Sequence, residues 1–225
     1  MFSASGIMLN NLKMSQSAQK FWDKQATKYD GIENQFEPAY KSILTKTSEY
    51  LNQNDMVLDY GCATGNKAIE FSSRVRRIHG LDISAGMIRE ANRKKDELKI
   101  PNISFSQGTI FNPELERGSF DKIIAFSIIH LLEDKEKVIQ RIHELLKPGG
   151  LFFSTTACLK NKMAFKNRLN ITTLRFLKRL GIFPLHLNIF RPEDVEKLIK
   201  DQNFNIVEAE YISYEVPACF IIAVK

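Results

Sequence analysis

The chain has 225 residues, 44% of them hydrophobic and 26% charged, a balance that fits one globular domain and excludes wholesale disorder. No apolar run approaches the roughly 18 residues that cross a bilayer, and Met1 to Lys20 lacks the apolar core of a signal peptide, which predicts a cytoplasmic protein. The net charge of +6 is local: eight cations and no acid lie between Thr156 and Pro192, so the rest of the chain is slightly acidic.

Residues 1–19, rich in Ser, Asn and Gln, read as a flexible tail, and residues 20–225 as a single domain. From Met56 onward, short apolar runs alternate with helical patterns, the mark of a parallel sheet with helices on both faces. Strands are predicted at Met56 to Tyr60, Arg77 to Asp82, near Ile103 to Phe105, at Phe120 to Phe126 and at Leu151 to Thr155. Helices are predicted from about Asn66, after Ser84, and between Asp134 and Lys147. The hydroxyl of Ser84 can cap its helix, and Pro148-Gly149-Gly150 stops the third. A basic insertion over about 157–190 precedes a helix opened by Pro192, Glu193 and Asp194, and two strands, Asn205 to Ser213 and Ala218 to Val224, close the chain.

The segment from Val57 to Asn66 carries the most chemistry. A strand that runs into a glycine-bearing loop and then a helix makes a ligand crevice at the carboxyl end of a sheet. Gly61 and Gly65 clear side chains from the turn, and Asp82 ends the next strand at the spacing where an acid can accept both ribose hydroxyls of an adenosine. The dinucleotide pattern Gly-x-Gly-x-x-Gly is absent, because Ala63 and Asn66 stand at the later positions. The carboxylate of Asp59 would repel a pyrophosphate and suits a ligand carrying ammonium and sulfonium charges.

These residues resemble the class I S-adenosylmethionine-dependent methyltransferase superfamily, most strongly from Val57 to Thr155. The resemblance implies a Rossmann-like seven-stranded sheet, mostly parallel with the last strand antiparallel, plus helical lid elements. It implies S-adenosylmethionine as cofactor, with Asp59 and the backbone of Gly61 at its amino-acid end and Asp82 at its ribose. Ile83 and Met87 would flank adenine; where the family commonly has a Gly-Asp pair this chain has Gly108-Thr109, so the Thr109 hydroxyl and the backbone of Ile110 would contribute there, and Cys62, Ala63, Gly65 and Phe126 complete the expected cofactor set. Phe21 to Asp30 is similar to the lid helix that often precedes this fold, in which the tyrosine, here Tyr29, covers the cofactor.

Each residue also has a plainer reading. Gly61 and Gly65 can simply make a tight turn, Asp82 can cap the helix after it, Cys62 can fill the loop, and the stretch from Phe21 to Tyr29 can be an amphipathic helix anchored by Trp22. His130, after the fourth strand, is a candidate general base in an apolar setting that equally suits a packed histidine. His186 is a weaker candidate to face substrate. The cations of the insertion suit an anionic acceptor, peripheral contact with a lipid surface, or only a solvated lid face. Cys62, Cys158 and Cys219 form no metal-binding spacing, so no metal is expected, and no nucleic-acid module is recognisable. The leading expectation is methylation of a small molecule; RNA or protein methylation and non-catalytic cofactor binding are the alternatives.

Overall fold

The computed structural model describes residues 16–34, 37–160, 173, 184–213 and 216–225. Seven strands form one sheet: β1 (Met56–Tyr60), β2 (Arg77–Asp82), β3 (Ile103–Gln107), β4 (Phe120–Phe126), β5 (Leu146–Ala157), β6 (Asn205–Ile212) and β7 (Ala218–Val224). Their order is β3-β2-β1-β4-β5-β7-β6. The pairs β3-β2, β2-β1, β1-β4 and β4-β5 are parallel, while β7 runs antiparallel to both of its neighbours.

The unbroken apolar runs of the central strands follow from burial on both faces, since successive side chains of a strand point to opposite sides. Leu58, Ile123 and Phe152 enter one core cluster, whereas their neighbours Val57, Ile124 and Phe153 enter the other. Two helices cover the first cluster: α6 (Lys135–Leu145), through Val138, Ile139, Ile142 and Leu145, and α7 (Pro192–Lys200), through Val195, Leu198 and Ile199. The second is covered by Ile43 and Leu44 of α3 (Glu37–Glu49) and by Ala68 and Phe71 of α4 (Asn66–Phe71). Helix α5 (Ala85–Glu97) buries Met87, Ile88 and Ala91 at helical spacing, and Ser84 caps it by accepting from the Met87 N–H at 3.1 Å.

Two boundaries differ from the sequence expectation. Helix α6 stops at Leu145, and Pro148-Gly149-Gly150 lies inside β5 rather than ahead of it. Leu146 pairs with Phe120 and Leu151 with Lys122, so the proline and glycines sit where the ladder shifts register, a position that tolerates a residue without an N–H donor. At the other end of the chain, a helix α1 covers 16–25, so residues 16–19 are helical rather than tail. The cations expected to form a lid lie outside the described residues, except Lys160 and Arg191. Among the described residues no helix is long and apolar enough to cross a membrane.

Candidate functional site

Strand β1 is where the strand order reverses, with β2 and β3 on one side and β4 and β5 on the other, and a crevice opens outside the carboxyl ends of strands at such a point. The loop after β1 is held in place from β2. Gly61 N–H and Cys62 N–H donate to the carbonyl of Leu81 at 2.7 and 3.2 Å, and Ala63 N–H donates to Asp82 Oδ2 at 3.0 Å. Gly61 and Gly65 have φ of +76° and +80°, a region that costs residues with a Cβ. A Cβ on Gly61 would also lie 2.5 Å from Ile128 Cδ1, and one on Gly65 2.5 Å from Phe105 Cζ. Both glycines are therefore required by backbone shape and by close packing together.

The crevice holds about 760 Å³ of space, counting the part open to solvent. On the β1–β2 side it is lined by Tyr60, Gly61, Ala63, Asp82, Ile83 and Met87; on the β4 side by Phe126, Ser127, Ile128, Leu131 and Leu132. Ala18, Trp22 and Tyr29 come from the N-terminal helices, and Leu185 and His186 from the segment before α7. Asp82 accepts one bond on each oxygen, from Ala63 N–H and from Ser84 N–H at 2.8 Å, which leaves lone pairs on both for a ligand. Burial pushes its carboxyl pKa up, against the pull of those N–H groups.

Asp59 lies behind this wall, two residues before Gly61. It is 3% exposed, and its Oδ2 has no hydrogen-bond partner among the described residues. Burial, with Glu33 and Asp82 adding like charge and Lys67 opposing them, lifts its pKa to about 7. A buried carboxylate oxygen without a donor is the natural partner of a ligand's cationic group. This unsatisfied oxygen, together with the spare lone pairs of Asp82, fits the amino-acid and ribose ends of S-adenosylmethionine.

The N-terminal helices are fastened by carboxylates. Asp23 Oδ1 accepts from Ser84 Oγ at 2.7 Å and from Gly86 N–H at 2.8 Å, at the positive end of α5. Asp30 in α2 (Tyr29–Glu33) accepts from Asn66 Nδ2 at 3.0 Å, Lys94 Nζ at 2.9 Å and the Thr64 hydroxyl, and Glu33 pairs with Lys67 at 3.1 Å. These contacts hold Trp22 and Tyr29, edge to face at 6.1 Å, over the crevice. Sequence reading passed over Asp23 and Asp30, although two acids on the predicted lid helix were visible. Ser127 was missed as well; it follows β4 directly, with φ of +54° and its hydroxyl against those of Tyr40 and Thr155.

Of the residues expected at the cofactor, Tyr29, Gly61, Ala63, Asp82, Ile83, Met87 and Phe126 line the crevice. Cys62 is buried in the loop with its thiol pKa raised by that burial, and Gly65 turns the chain behind it. Thr109 and Ile110 are not in the lining: Ile110 is fully buried in the core, and the Thr109 hydroxyl accepts from Phe111 N–H at 3.4 Å. His130 is not in the lining either. Its Nδ1 is sealed from solvent and has no partner among the described residues, and burial pushes its pKa down to about 4, which keeps the ring neutral behind the wall. His186, the weaker candidate, does line the crevice.

Fold and crevice define a Rossmann-like α/β protein built to hold a nucleoside-bearing ligand at the carboxyl end of its sheet. A family model described as a methyltransferase domain matches residues 51–203. The chain belongs to this family, within the class I S-adenosylmethionine-dependent methyltransferases, and its cofactor is S-adenosylmethionine. It is 28% identical over 144 residues to an uncharacterized methyltransferase of Oceanobacillus iheyensis, covering 63% of this chain and 64% of that one. It is 32% identical over 127 residues to the phosphoethanolamine N-methyltransferase of Plasmodium falciparum, covering 55% and 46%. The chain thus spans less than two thirds of the length of these curated relatives. A putative methyltransferase solved in complex with the Haloferax volcanii Trm112 activator shares the fold, with a TM-score of 0.73 at 16% identity over 92% of this chain and 96% of that one.

Proposed function

We propose that this chain transfers a methyl group from S-adenosylmethionine to a small-molecule acceptor with an apolar body. The carrying observation is that one crevice joins two chemistries. Its β1–β2 side offers the acid Asp82, with buried Asp59 behind it, and it is walled opposite by Ile128, Leu131 and Leu132 of the β4 side and by Leu185 of the segment before α7. The small-molecule acceptor named for the Plasmodium relative supports the choice of a small molecule over RNA or protein.

S-adenosylmethionine, when bound, supplies an electrophilic methyl group on a positively charged sulfur. That charge disappears during transfer, so binding energy is best placed on groups whose charge does not change. Asp59 is assigned to the ammonium and Asp82 to the ribose hydroxyls, with Ile83 and Met87 against adenine and Tyr29 above. The chain then orients the acceptor and excludes water, which contributes several kcal/mol without a covalent intermediate. Thermal melting tests the cofactor half: S-adenosylhomocysteine should raise the melting temperature and NAD should not, because only a ligand selective for the folded state stabilises it. A shift with NAD alone would overturn the proposal.

A further inference from the structure

The segment 184–190 is stitched to the loop after β4 by the backbone and side chain of Asn188. Asn188 N–H donates to the His130 carbonyl at 2.7 Å, and Asn188 Nδ2 donates to the carbonyls of Leu132 and His130 at 2.6 and 3.4 Å. Two carbonyls can only accept, so the amide has one workable orientation, with Oδ1 turned away from them. That Oδ1 meets His186 Nε2 at 3.2 Å. A carbonyl oxygen cannot donate, so Nε2 must carry the hydrogen. In the neutral ring Nδ1 is then bare, and among the described residues it has no hydrogen-bond partner. The ring itself lines the crevice beside Leu185, on the wall shared with Leu131 and Leu132.

Resting on the function proposed above, we infer that His186 is the general base of the reaction, that Asn188 is the positioning residue fixing its tautomer, and that the acceptor atom is a proton-bearing hydroxyl on an apolar body. A hydroxyl must shed its proton as its oxygen bonds carbon, or it would become an oxonium ion. An amine with a free lone pair attacks first and loses its proton later. A carboxylate acceptor needs a cation rather than a base, and no Lys or Arg is present in the described lining. In the step, Nδ1 of His186 takes the hydroxyl proton while the acceptor oxygen bonds the methyl carbon, and the electron pair of the broken carbon–sulfur bond stays on sulfur. Imidazolium, methyl ether and neutral thioether account for every atom and charge.

The test uses 2-naphthol as hydroxyl probe, with dodecylamine and decanoate as counter-probes. Nitrogen NMR of histidine-labelled protein should show His186 with a hydrogen on Nε2 and none on Nδ1, and 2-naphthol should shift the Nδ1 resonance where the counter-probes do not. Turnover of 2-naphthol should fall by about 100-fold or more in His186→Gln. In His186→Gly it should be partly restored by free imidazole, a rescue that a merely structural histidine would not show. Asn188→Leu should yield a mixture of tautomers; if that variant does not fold, the wild-type spectrum and the two His186 variants still decide. A hydrogen on Nδ1, wild-type naphthol turnover in His186→Gln, or 2-naphthol that neither shifts Nδ1 nor is methylated overturns the inference. S-adenosylhomocysteine melting separates this from failure of the parent proposal: a protein that binds the cofactor but shows any of these results has lost only the base.

Discussion

In the assignment proposed above, Asp59 would join stability to cofactor binding in a way that can be measured. Its pKa rises from the ordinary 3.8 to about 7 on folding, chiefly through burial. A carboxyl group whose pKa is raised in the folded state favours the fold fully below its unfolded value, and that contribution is lost as pH climbs through the folded one. At 1.36 kcal/mol per pH unit, ionised Asp59 costs the ligand-free fold roughly 4 kcal/mol above pH 7. Asp59→Asn should therefore stabilise the ligand-free protein at pH 8 by about 2–4 kcal/mol, the lower figure allowing for an amide left short of partners. His130 slopes the opposite way: its pKa falls from 6.5 to about 4, so its contribution is complete above pH 6.5 and lost as pH drops toward 4. The quantity to read is thus the difference between variant and wild type in urea unfolding at pH 5 and pH 8. A cation beside Asp59 should draw the proton off, so calorimetry should show S-adenosylmethionine binding about tenfold tighter per pH unit up to pH 7, with proton release. Equal stability of the two proteins at pH 8, or a pH-independent affinity that survives Asp59→Asn, would refute the assignment.

Three further outcomes are expected. Asp82→Ala should weaken S-adenosylmethionine binding by about 1.5–3 kcal/mol, the range for hydrogen bonds to a charged group, with calorimetry as readout and unchanged affinity as the contrary result. Asp30→Ala frees Thr64, Asn66 and Lys94 from the lid, and should speed amide exchange over 16–34 and shorten cofactor residence; unchanged exchange would show that Asp30 does not hold the lid. His130→Gln should lose part of the acid sensitivity between pH 6.5 and pH 4 in unfolding experiments, leaving the share of His79 and His143, whose pKa values burial also lowers, and an acid limb identical to that of wild type would show that this histidine is not buried neutral.

What could be read from sequence was whatever local pattern decides. The strands from Val57 to Phe126 were legible because a parallel sheet buries both faces, and the glycines of the first loop because their left-handed φ is a local demand. The start of β5 was not, since Pro148-Gly149-Gly150 reads as a stop unless the register shift opposite Phe120 is known. Ile110 was expected to offer only its backbone to adenine, and its apolar side chain is buried in the core. On the β4 side Phe126 and, weakly, His186 were named from the sequence, but what seats His186 at the crevice was not legible. His186 reaches the crevice through a tether between Asn188 and the carbonyls of His130 and Leu132, more than fifty residues away in the chain, and no spacing rule reports such a contact.

The central claim, methyl transfer from S-adenosylmethionine to a small molecule through the β1–β4 crevice, is tested most directly by following the label. Purified protein is incubated with methyl-labelled S-adenosylmethionine and a deproteinised metabolite extract, and in parallel with total RNA and with denatured protein. Label should appear in the solvent-extractable small-molecule fraction, and Asp82→Ala should remove it under limiting cofactor. Label confined to the RNA or protein fraction, or small-molecule labelling unchanged by Asp82→Ala at limiting cofactor, would contradict the account.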